Sequence, residues 1–95
     1  MTPTIRHEPD HGRFVADVEG GQAQLYYERP TEGLVVFTHT EVPEEAEGGG
    51  VGSALAVAGL TWARDEGAQI FPLCPFVAAY VRRHAEWQPL VAHRS

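Results

Sequence analysis

The run Leu34-Val35-Val36-Phe37-Thr38-His39-Thr40-Glu41-Val42-Pro43, continued by Glu44-Glu45-Ala46-Glu47-Gly48-Gly49-Gly50-Val51-Gly52-Ser53, decides how this chain folds. Its opening residues are apolar on both alternating faces, as in a strand covered on both sides, so Leu34 to Val42 is expected at the centre of a sheet. After Pro43 the composition turns acidic and then glycine-rich. From Val51 to about Glu66, Val51, Leu55, Ala58 and Trp62 recur at helical spacing, and Gly59 allows close approach to a sheet. A strand therefore passes through a glycine loop directly into a helix. The first N–H groups of such a helix have no partner within it and carry partial positive charge, so the junction accepts phosphate or pyrophosphate without a basic side chain. A P-loop would need Gly-Lys-Ser/Thr, and this loop has no lysine; a dinucleotide fingerprint would need glycine where Leu55 stands. The tight junction with the helix argues against a mere flexible linker.

Upstream, Arg13 to Glu19 alternates with Phe14, Ala16 and Val18 on one face, Gly20-Gly21 makes a hairpin turn, and Gln22 to Arg29 alternates again. Pro30-Thr31-Glu32-Gly33 closes a second turn. Residues 1–12 are polar, with Pro3, Pro9 and Gly12, and are expected as a loosely held lead-in with room for one short extended piece. Downstream, Gly67 caps the helix, Gln69 to Cys74 is a short apolar strand, and Phe76 to His84 is a second helix after Pro75. Strand, helix, strand in that order implies a right-handed crossover and a parallel pair. The expected fold is α+β: an antiparallel meander leading into one parallel β-α-β unit with two helices, as a single domain over 13–95.

Composition narrows the partners. The net charge is −6, with seven arginines and no lysine, so no basic stripe exists to neutralise nucleic acid. An acidic surface attracts a basic acceptor such as an amine or a basic peptide, although it also serves solubility. Cys74 is the single cysteine and cannot form an internal disulfide, which with the polar N-terminus fits a cytoplasmic protein. The longest apolar-leaning run, Val51 to Ala63, falls short of the roughly 20 residues that span a bilayer. A membrane partner is not expected, and the chain is expected as a monomer.

Three strings in one order carry a resemblance: Phe37-Thr38-His39-Thr40-Glu41-Val42-Pro43, the loop Gly48-Gly49-Gly50-Val51-Gly52-Ser53, and Leu73-Cys74-Pro75-Phe76-Val77 with Tyr80 and Arg83-His84. Together they resemble the small GNAT-like subfamily of the GNAT acetyltransferase superfamily, over almost the whole chain. The resemblance implies an abbreviated GNAT fold with acetyl-CoA lying in a splay between Leu34 to Val42 and Gln69 to Cys74. It implies that the pyrophosphate loop falls on Glu47-Gly48-Gly49-Gly50-Val51-Gly52, with Glu47 in place of the superfamily's glutamine or arginine. It further implies that main-chain groups near Glu41 and Val42 hold the pantetheine arm and polarise the acetyl carbonyl, and that Tyr80 protonates the departing thiolate.

The residues themselves leave each role with a plainer alternative. Tyr80 also reads as a core-edge aromatic. Cys74 reads as a small buried hydrophobe or, before Pro75 and a helix start, as an acyl-accepting nucleophile. His39 and Glu41 are general-base candidates facing the cleft, with a satisfied structural histidine the simpler single explanation of His39. Arg82 and Arg83 either reach a CoA phosphate or complement their helix end. His7 and His11, separated by Pro9, share no helix face, and no metal site is expected. Three functions follow in order: transfer of acetyl from acetyl-CoA to an amine, a non-catalytic acetyl-CoA or CoA module acting as sensor or carrier, and an interaction protein with a vestigial cofactor loop.

Overall fold

The alternating segments pair in sequence order as β1 (Ile5–Glu8), β2 (Arg13–Val18), β3 (Gly21–Thr31), β4 (Leu34–Glu41) and β5 (Gln69–Pro72) in the computed structural model, which describes residues 4–92. The first four strands are antiparallel and β5 joins β4 in parallel. Helix α1 (Val51–Asp65) makes the crossover and α2 (Pro75–Arg83) follows β5, with 3-10 turns at Pro9–His11, Glu44–Ala46 and Ala85–Leu90. The expected α+β architecture with its parallel β-α-β unit is present.

Two expectations change. The polar lead-in contains β1, paired with β2 from Ile5↔Ala16 to Glu8↔Arg13, so order begins before Arg13. Arg6 and Glu8 disguised that strand, because they face solvent and bond Asp17 and Arg13 across the sheet, each at 2.6 Å. With β1 present the central strand is β3 rather than β4, and Leu34 and Val36 on the outer face of β4 are only half-buried.

Helix α1 lies on the face presented by Phe14, Ala16, Leu25, Tyr27, Val35 and Phe37, burying Leu55, Leu60 and Ala63 against it. Each large aliphatic side chain removed from water there contributes about 1.5–3 kcal/mol. Gly59 permits the close approach, since a Cβ on it would stand 2.8 Å from the Phe37 ring and 3.1 Å from Leu25. Gly67, at φ 73°, turns the chain out of the helix. Beyond α2 the buried Trp87 anchors the last turn, and the Ala92 N–H donates to the Ile70 carbonyl at 2.8 Å. The outer edge of β5 is thereby partly covered.

Candidate functional site

One extra residue in β4 creates the cleft. Tyr26 of β3 pairs with His39, but the next residue, Tyr27, pairs with Phe37, so Thr38 is a bulge. The bulge reverses the phase of the strand. Val35 and Phe37 face α1 before it; beyond it Thr40, opposite the buried Leu25, takes the inward face, and His39 and Glu41 turn to the other. Pairing with β5 ends at the same place, at Phe37↔Pro72, and the Cys74 N–H donates to the Phe37 carbonyl at 2.9 Å. From Thr38 to Glu41, β4 keeps β3 on one edge and has no strand on the other.

A cavity of about 660 Å³ opens beside that edge. The strand contributes Thr40 and Glu41, Val42 follows directly after it, and the loop contributes Glu47, Gly48 and Gly50. Val51, Gly52 and Ser53 bring the first turn of α1 to it, and Phe76 of α2 closes one side. Gly48 and Gly50 have φ of 83° and 84°, a left-handed conformation that explains glycine at both positions. Gly50 caps α1 with its carbonyl, which accepts from the Ala54 N–H at 3.0 Å, and no side chain caps the free amides. Those first-turn amides edge the cavity with the positive end of a 15-residue helix behind them. Gly49 stands apart from this lining; its N–H is already donated to the Ala46 carbonyl at 3.3 Å. No lysine or arginine lines the cavity, while Glu41 and Glu47 do.

These groups suit a CoA ester. Unpartnered amides behind two glycines that need positive φ offer a cradle for a pyrophosphate. The free strand edge offers hydrogen bonds to an arm carrying amides, and Val42, Val51 and Phe76 offer apolar contact.

The other site residues expected from sequence lie around the cavity rather than in its wall. Cys74 is buried and its Sγ lies 3.0 Å from the Thr40 hydroxyl, so Thr40 stands between the thiol and the cleft. Tyr80 is half-buried one helical turn beyond Phe76, its ring stacked on His84 at 4.0 Å. His39 is exposed outside the lining, with Nε2 3.2 Å from the Glu41 carboxylate and its ring 6.1 Å from Tyr26. Arg82 and Arg83 are exposed at the end of α2. Among the described residues no three His, Cys, Asp or Glu side chains gather as a metal site. Sequence reasoning missed Thr40 as wall, because the bulge sets its direction, and Phe76, whose exposed ring follows the helix start at Pro75.

Strands that part beside a glycine-looped helix start define the GNAT-like class of α+β domain. Residues 13–90 match the model of the GCN5-related N-acetyl-transferase family, and the chain belongs to that family. A solution NMR structure of a GCN5-like candidate N-acetyltransferase from Staphylococcus aureus is similar to it at a TM-score of 0.75 and 21% identity, over 99% of this chain and 92% of that one. At that identity the likeness is one of fold. No curated protein matches the sequence. No helix among the described residues is long and apolar enough to cross a membrane.

Proposed function

We propose that this domain binds acetyl-CoA between β4, the glycine loop and α1, and transfers its acetyl group to an amine. The observation that carries the reading is the departure of β5 from β4 after Phe37, which leaves a bare strand edge beside the α1 amides. In this reading the amides of Val51, Gly52 and Ser53, with the loop at Gly48 and Gly50, hold the pyrophosphate. Main-chain groups of Glu41 and Val42 bond the arm and polarise the acyl carbonyl. The cofactor, when bound, supplies an activated thioester. Tyr80 holds a proton at Oη for the leaving thiolate, and His39 with Glu41 takes one from the amine. Cys74 accepts an acyl group only if the Thr40 side chain turns aside. Glu41 and Glu47 in the cavity wall favour a cationic amine or basic peptide as acceptor, and a cytoplasmic monomer belongs to the same reading.

One observation favours the second reading, a CoA-binding module without turnover: Cys74, Tyr80 and His39 all lie outside the cavity lining. Titration with acetyl-CoA should move the amide NMR shifts of Gly48 to Ser53 and raise the melting temperature with ligand concentration. Shifts and melting curve that stay fixed at millimolar acetyl-CoA refute binding. Release of free CoA thiol with candidate amines supports transfer; binding without release supports the module.

A further inference from the structure

Phe76 keeps a large apolar ring partly in water. It is 41% exposed, whereas the core contacts of α2 are made by the buried Val77 and Val81. The ring nevertheless has a seat. A Cβ on Gly52 would stand 2.8 Å from its Cζ and 3.3 Å from each Cε, so the ring lies over the bare backbone of the first turn of α1. Gly52 is not among the glycines with positive φ, so conformation does not demand it. Alanine would favour the helix, yet glycine stands there, and the space its missing side chain leaves is filled by Phe76.

We propose that Phe76, seated on Gly52, is the apolar wall against which the pantetheine arm of an acyl-CoA lies, and that this pair sets affinity for the arm rather than for the nucleotide phosphates. The inference rests on the CoA reading above. The lining supports a division of labour by chemistry: the glycine loop and the α1 start offer amides to anions, while Val42, Val51 and Phe76 offer apolar side chains. An arm of methylene and methyl groups interrupted by amides matches the second region, with its amides on β4 and its hydrocarbon on the ring. Covering a half-exposed ring removes apolar area from water, a gain that phosphates cannot draw on. The atoms nearest a methyl at position 52 are the far end of the Phe76 side chain, so the ring can shift and the fold is expected to survive.

Calorimetric titration of Phe76→Ala, Gly52→Ala and the double variant with two ligands tests this. The ligands are CoA and the nucleotide half of CoA, a ribose-phosphorylated ADP that ends where the arm begins. Phe76→Ala should weaken CoA binding about tenfold and the nucleotide half by less than about twofold. Gly52→Ala should act in the same direction, and the double variant should be no weaker than Phe76→Ala alone, because the methyl then has no ring to displace. Phe76→Leu keeps apolar bulk and should give a smaller loss of the same kind, even if Phe76→Ala fails to fold. Equal losses for both ligands, or additive losses in the double variant, overturn the role given to Phe76 while the CoA reading stands. Wild-type protein that binds neither ligand overturns the CoA reading and this inference with it.

Discussion

At its first turn α1 meets the sheet across an open cleft edged by glycines and main-chain groups, whereas near its last turn Trp62 closes an aromatic cluster drawn from three strands. There the His7 ring stacks on Phe14 at 4.2 Å and 4°, meets Trp62 edge-on at 4.7 Å, and its Nε2 lies 2.6 Å from the Tyr27 hydroxyl. Arg29 covers Trp62 at 5.3 Å and bonds Glu66 at 2.9 Å. One end of the helix has its surfaces matched by side chains; the other keeps unpartnered amides and a bare strand edge. This small domain thus holds the helix at one end and leaves binding capacity at the other. Stability and ligand affinity should therefore separate along α1.

The largest expected effect breaks the closed end. Trp62→Ala removes the ring on which His7, Tyr27 and Arg29 pack and should cost about 3 kcal/mol, read as a lower urea midpoint, with CoA affinity changed by less than about twofold. A comparable loss of affinity would show that the two ends are coupled. At the open end, Gly50→Ala forces a Cβ into the left-handed region at φ 84° and should cost about 1 kcal/mol or more, this time together with CoA binding.

Protonation tests the closed end more gently. Burial lowers the pKa of His7 from its ordinary value, with Glu66 pulling weakly the other way, so the fold favours the neutral ring. The stability this gives is full above the unfolded imidazole value of about 6.5 and declines as pH falls below it. Urea midpoints measured between about pH 7.5 and about pH 5.5 should fall for the wild type and flatten in His7→Phe, which keeps the stack and removes the titration. The Glu8 and Asp17 carboxyls are held low by hydrogen bonds from Arg13 and Arg6, so their contributions fade only at more acidic pH, outside that window. A His7→Phe profile as steep as the wild type would place the titrating group elsewhere. The smallest effect is at the open end: Glu47→Arg removes a carboxylate from the cavity wall and should tighten CoA binding about threefold at low salt, less as salt rises. Unchanged affinity at low salt would show that residue 47 points away from the cofactor.

Much of the fold was legible because it rests on local requirements. Gly20-Gly21, Gly48, Gly50 and Gly67 stand where φ is positive, and the alternation of Arg13 to Val18 survives as β2. Strand β1 escaped because a four-residue edge strand carrying Arg6 and Glu8 has too little apolar signal; only its ion pairs with β2 and the packing of His7 reveal it. The glycine loop of the candidate site was legible for the same conformational reason. The positions of Tyr80, His39 and Cys74 relative to the cavity were not, since each depends on how separate elements pack.

The residues alone specified the order of elements from β2 onward, the parallel crossover and the glycine-looped start of α1, because periodicity and left-handed turns are written in neighbouring residues. The tertiary structure decided which face of β4 meets the cleft. Alternation would have sent Phe37, His39 and Glu41 to the same side, but a bulge exists only in register with a partner, and pairing with Tyr26 and Tyr27 turned Thr40 inward and His39 out.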